Sequence, residues 1–218
     1  MVGSPSTFKD QFDFIKAFIT WLKALVARLV AERQVAETKV TGATVSPRQT
    51  VVGQQHPIPA DEAERKLSEA RAAEEEATSV FEARVRAHRE DDTAPKLAID
   101  RLCETYALDD NERRIVLVLL VPCVHPTLSE QVFGELAQGF FSSGICVAML
   151  AALLDPQDIC ETVEHRRYFE RTPKMVEAGL VVVEHIRSEV CPCDLWDADV
   201  KISAKGFRLL TGQHEADE

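Results

Sequence analysis

Apolar residues in the first long segment, "STFKDQFDFIKAFITWLKALVARLVAE", fall at Phe8, Phe12, Ile15, Ile19, Leu22, Val26 and Leu29. Steps of four and three draw an unbroken a/d seam along one face of a helix. Phe14, Phe18, Trp21 and Leu25 widen it beyond a simple dimer stripe. A face this broad must be covered by the rest of the chain or by a partner helix, so these seven seam positions are the candidate interaction residues. Packing within the chain is the favoured cover and self-association the second. Lys16, Lys23 and Arg28 interrupt the run, which excludes a comfortable membrane span. An anchor lying on a membrane surface, with Trp21 and the lysines at the interface, is the lesser alternative.

Residues 40–60, "VTGATVSPRQTVVGQQHPIPA", mix Gly, Pro, Thr and Gln without a usable period, which predicts a linker. Asp61 is then expected to cap "EAERKLSEARAAEEEATSVFEARVRAHRE". This alanine-rich, acidic helix has a thin stripe at Leu67, Ala70, Ala77, Phe81 and Val85, suited to an antiparallel hairpin with the first helix. "DDTAP" breaks the pattern, closing a first region of residues 1–92.

From Pro95 the pattern is that of a helical core. "PKLAIDRLCETYA" turns Leu97, Ile99, Leu102 and Tyr106 inward. "LDDNERRIVLVLLVPCVHP" is capped near Asp109 or Asp110, and its block Ile115 to Val121 is expected to stop at Pro122. Seven apolar residues in succession also suit a buried strand, but the cap and acidic first turn favour a fully buried helix. Ser129 is expected to open the next helix, Ser142 or Ser143 the one after, and Asp155-Pro156 a third. In "RTPKMVEAGLVVVEH" the period changes halfway. Thr172 is placed to cap and Pro173 to take the first helical position, and Gly179 supplies the left-handed residue that ends many helices. Leu180 to Val183 then read as a strand, and "DVKIS" alternates apolar Val200 and Ile202 with Lys201 and Ser203. Helix, strand, polar excursion and strand form the end of a winged helix. The expected fold is mainly α: an N-terminal helical hairpin, then a winged-helix-like domain over 95–212 with a two-stranded wing, then an acidic tail at 213–218.

The net charge of −11 is uneven. Residues 1–60 carry 7 basic and 4 acidic groups, 61–92 carry 6 and 11, and 93–218 carry 12 and 21. The wing-bearing part is therefore at −9, against the balance of a chain that gains affinity by neutralising phosphates. Six cysteines could frame disulfides in a small secreted protein. Here Cys103, Cys123, Cys146 and Cys160 sit in apolar helical patterns, and "MVGSPSTFKD" lacks the apolar run of a signal peptide. A reducing, cytoplasmic setting is the expectation.

"LCETYALDDNERRIVLVLLVPCVHP" resembles the start of the winged-helix region that precedes the ATPase module of a bacterial AAA+ family. Leu108, Glu112, Leu117 to Val121 and Pro126 take the places of that pattern. "PKMVEAGLVVVE" and "DVKISAKGFRLLTG" look like the region's exit, with Leu209, Leu210 and Gly212 in register. The resemblance covers residues 95–212 and leaves the first 92 unexplained. It implies a recruitment domain that works with an AAA+ ATPase, in cis or as a stand-alone relative. One departure matters: no Gly-Lys pair occurs anywhere, so G-x-x-x-x-G-K-[ST] is absent and this chain is expected neither to bind nor to hydrolyse ATP through it.

Chemistry-bearing motifs are few. Cys191 and Cys193, with His185 nearby, are the one metal candidate; a zinc site usually needs a second ligand pair at matching spacing, and none follows. A wing-tip turn with two incidental thiols is preferred. Cys123 near His125 lacks a positioned carboxylate and makes no catalytic pair. The basic cluster around "EHRRYFERTPK" faces as many acids as bases and reads as a salt-bridged surface. No enzyme activity and no cofactor are expected. The expected role is a protein-interaction domain, with a winged-helix DNA-binding regulator and a self-associating scaffold as rivals.

Overall fold

The computed structural model describes residues 6–43, 59–124, 126–138, 144–154, 159–170, 173–184 and 195–212. Helix α1 (Gln11–Ala43) begins where Asp10 accepts a hydrogen bond from the Asp13 N–H at 2.8 Å and Asp13 accepts one from the Lys9 N–H at 3.1 Å. Phe8 therefore precedes the helix and folds back edge-on against Phe14, with ring centroids 5.2 Å apart. The helix runs four residues into the expected linker, and residues 44–58 lie outside the described ones. Helix α2 (Ala60–Glu90) does not use Asp61 as its cap. Pro59 holds the N-cap position, and Asp61 sits in the first turn, where its charge meets the positive end of the helix dipole.

The two helices form the expected antiparallel hairpin. Trp21 stacks on Phe81 at 5.9 Å and donates its indole N–H to Thr78 at 3.1 Å. Buried Arg28 joins Glu74 on α2 to Glu32 on its own helix. Arg84 lies over the Phe8 ring and pairs with Asp13 at 2.8 Å. The covered face of α1 is wider than the seam and rotated from it. Phe14, Phe18, Trp21, Leu25 and Val30 are as buried as Ile15, Ile19, Leu22 and Val26, whereas Leu29 is half-buried and Phe12 is 56% exposed. The cause is cover from two sides, by α2 and by the core helices α4 (Asp110–Val124) and α5 (Pro126–Ala137). Phe12 falls at the rim of the covered arc, beside Lys16.

Helix α3 (Ala98–Tyr106) ends in Ala107, a non-glycine residue at φ +50°. Asp109 and Glu112 then cap α4 reciprocally: the Glu112 N–H donates to Asp109 at 2.8 Å, and the Asp109 N–H donates to Glu112 at 3.1 Å. Ile115 to Val121 are all buried, in a helix. Pro122 does not stop α4, which continues to Val124, because a proline in the last turn forfeits a single internal N–H bond. Helix α5 starts at Pro126 rather than Ser129, using proline's preference for the first helical position. Arg33 of α1 donates to the carbonyls of Glu135 and Leu136 at 2.8 and 3.1 Å, tying the hairpin to the end of α5.

Helix α6 (Val147–Leu153) has Cys146 at its N-cap; Ser142 and Ser143 lie outside the described residues, as do Asp155, Pro156 and Thr172. Helix α7 (Ile159–Arg166) passes into a short 3-10 turn, Arg167–Phe169. The four-residue α8 (Lys174–Glu177) has Pro173 at the N-cap, one position earlier than expected. Gly179 takes φ +67° as predicted. Strands β1 (Val181–Glu184) and β2 (Asp199–Ile202) pair antiparallel, Val181 opposite Ile202 and Glu184 opposite Asp199. Cys146 bridges Asp199 on the other side of β2, and the Val200 N–H donates to the Ile145 carbonyl at 2.8 Å. Ile145 and Cys146 thus add a minimal third strand, with β2 central. A helix pair before the sheet and a wing between β1 and β2 make a winged helix. Helix α9 (Ala204–Thr211) follows, capped by Ser203 and ended by Gly212 at φ +74°. One apolar core runs from Phe8 and the α1 residues through α4 and the sheet to Leu210.

Candidate interaction surface

In helix-turn-helix proteins that bind DNA, the second helix of the motif enters the major groove. Between α6 and β1 the chain presents the short α8 and, before it, the longer α7. Its described surface carries Val163, 61% exposed, with Glu161 and Glu164. With the 3-10 turn and Glu170, residues 159–170 hold three carboxylates against Arg166 and Arg167.

Four exposed cations on this side of the molecule have partners within the chain. Lys174 donates to the Ala107 carbonyl, and Lys205 donates to the Ala178 carbonyl at 2.9 Å while lying 5.1 Å from the Tyr106 ring. Lys201 pairs with Glu184 at 2.6 Å, and that hydrogen bond raises the lysine pKa. Arg167 sits 5.4 Å from the centre of the Tyr168 ring, and its hydrogen bond there raises its pKa further. Glu164, Glu170 and Glu177 are exposed as well, and Glu164 lies close enough to Arg167 to help raise its pKa. Lys174 and Lys205 thus turn to backbone carbonyls, Lys201 to Glu184 and Arg167 to Tyr168, beside exposed Glu164, Glu170 and Glu177.

The seam residues Phe8, Ile15, Ile19, Leu22 and Val26 are brought together inside the molecule, not on its surface. Trp21 is likewise buried, and among the described residues no helix is long and apolar enough to cross a membrane. His185, Cys191 and Cys193 lie outside the described residues, as does the acidic tail from 213. Among the described residues no cluster of three His, Cys, Asp or Glu side chains is placed to hold a metal ion.

Cys103 borders an open cleft of about 430 Å³ with His88, Asp100, Glu104 and Arg113. Burial pushes its thiol pKa up to about 11, the wrong direction for a nucleophile. Burial raises Cys123 and Cys146 as well. The carbonyls of Ala107 and Ala178 that take Lys174 and Lys205 are distant from them in the chain, so sequence spacing gives no sign of these contacts.

No curated protein and no solved structure matches the chain. A family model described as "Winged helix domain, variant" matches residues 2–218. With the helix pair, the wing and the third strand at Cys146 in place, the chain belongs to this winged-helix family.

Proposed function

We propose that this winged helix is a non-catalytic recruitment domain that binds protein rather than nucleic acid. The observation that carries this reading is that exposed Lys174, Lys201, Lys205 and Arg167 each already have a partner in the chain, beside exposed Glu164, Glu170 and Glu177. A DNA-binding face needs free cations to displace counterions, and a face of exposed carboxylates repels phosphates. The same carboxylates, with exposed Val163 among them, suit a partner with a basic rim and a small apolar centre.

The pattern around Leu108, Glu112 and Pro126, and the exit at Leu209, Leu210 and Gly212, support service to an AAA+ ATPase. In this role the domain selects a client, and ATP-driven motion elsewhere acts on it. The lack of any Gly-Lys pair supports a division of labour in which this segment contributes no nucleotide chemistry. The test is a binding titration of the purified chain with an AAA+ module encoded beside it or in the same reading frame. Saturable binding that weakens when Glu164, Glu170 and Glu177 are changed to Lys is the expected result. Binding that is absent, or unmoved by the triple change, overturns the reading.

A further inference from the structure

The exposed stripe of α1 and the outer face of α2 carry opposite charges at the same spacing. On α1, Phe12, Lys16 and Lys23 share the one side that neither α2 nor the core covers. On α2, Glu75, Glu82 and Arg86 share the side turned away from α1. Among the described residues none of these five charged side chains has a hydrogen-bond or ion-pair partner. Lys16 and Lys23 are seven residues apart, as are Glu75 and Glu82. Two helical turns separate each pair by about 10.5 Å and keep both members on one face.

We propose that this surface assembles copies of the chain, α1 of one against α2 of the next. Two copies stacked side by side in the same orientation bring α1 and the neighbour's α2 together antiparallel, as the hairpin itself is. At the level set by the hairpin's own pairs, Asp13 with Arg84 and Trp21 with Thr78, Lys16 then meets Glu82 and Lys23 meets Glu75. The same register places Phe12 against Arg86, a cation over an exposed ring. Small residues Ala72, Ser79 and Ala83 on the outer side of α2 let the helices approach closely. Because each copy keeps one stripe of each kind free, the contact is heterologous. It continues past a dimer until a ring closes or a filament grows.

The experiment is sedimentation velocity on the full chain over a concentration series, in low and high salt. The mass should climb past that of two chains of 24.3 kDa in low salt and fall back toward one in high salt. K16E/K23E and E75K/E82K should each remain monomeric in low salt with unchanged circular dichroism, since all four sites are exposed. Mixing the two variants should restore assembly, because each then supplies the charge the other lacks. A wild-type chain that stays monomeric at every concentration overturns the proposal. So does assembly that survives K16E/K23E, or a mixture that stays apart. None of these outcomes depends on the acidic face of α7, so this proposal and the recruitment reading fail separately.

Discussion

The carboxylate of Glu112 accepts a hydrogen bond from the Met175 N–H at 3.3 Å, across sixty-three residues of sequence. Its other oxygen takes the Asp109 N–H, so one buried side chain, 3% exposed, fixes the start of α4 and the start of α8 together. Glu112→Ala leaves two backbone donors without their acceptor and should destabilise the fold by about 2–4 kcal/mol. Glu112→Gln keeps one acceptor oxygen and should cost less than half as much. Urea unfolding of the two variants checks both, and equal losses would show that the carboxylate is not the link between the helices.

Gly206 is the second junction. A Cβ there would stand 2.5 Å from the Leu180 carbonyl oxygen and 3.0 Å from Ile202, which no rotamer change relieves. Gly206→Ala should cost about 1–3 kcal/mol by pushing α9 off the sheet. A thermal midpoint within error of the wild type would mean that α9 does not pack against the Leu180 carbonyl.

Ala107 offers the opposite sign. At φ +50° its Cβ is strained, and the residue is held by its N–H to the Cys103 carbonyl and by Lys174 on its own carbonyl. Ala107→Gly removes the strain and should stabilise the protein by about 1 kcal/mol. Differential scanning calorimetry should show a higher midpoint; a lower one contradicts the left-handed assignment.

Much of this architecture is legible along the chain. Asp109 and Glu112 stand three apart before an apolar run, and Gly179 divides a helical period from a β-branched run; local chemistry settles both. The third strand is not legible, because Ile145 and Cys146 run without a break into the apolar pattern of α6. Phe12 is misread for a related reason. Periodicity says that a face is apolar but not how wide its cover is, and two neighbours rotated the covered arc of α1 away from Phe12. The engagement of Lys174 and Lys205 by carbonyls is tertiary and leaves no mark in sequence spacing.

Asp13 gives a pH prediction. The Lys9 N–H above all, and then Arg84, hold its carboxyl below the ordinary value of 3.8, against an opposing effect of burial. A depressed folded-state pKa contributes stability that is present above 3.8 and lost as pH falls through the folded value. Asp13→Asn should therefore lower stability at neutral pH and flatten the decline below about pH 4. Parallel acid-side slopes in the two proteins would remove Asp13 from the account.

Charge polarity around the wing is the centre of the account, and fluorescence anisotropy with labelled duplex DNA in low salt tests it most directly. Random-sequence duplex at about 50 mM salt favours any cationic face, so it is the most permissive condition for nucleic-acid binding. The account predicts no saturable rise in anisotropy, and the appearance of weak binding once Glu164, Glu170 and Glu177 are changed to Lys. Tight binding by the unmodified chain, weakening steeply as salt is raised, would contradict it and make this winged helix a DNA-binding one.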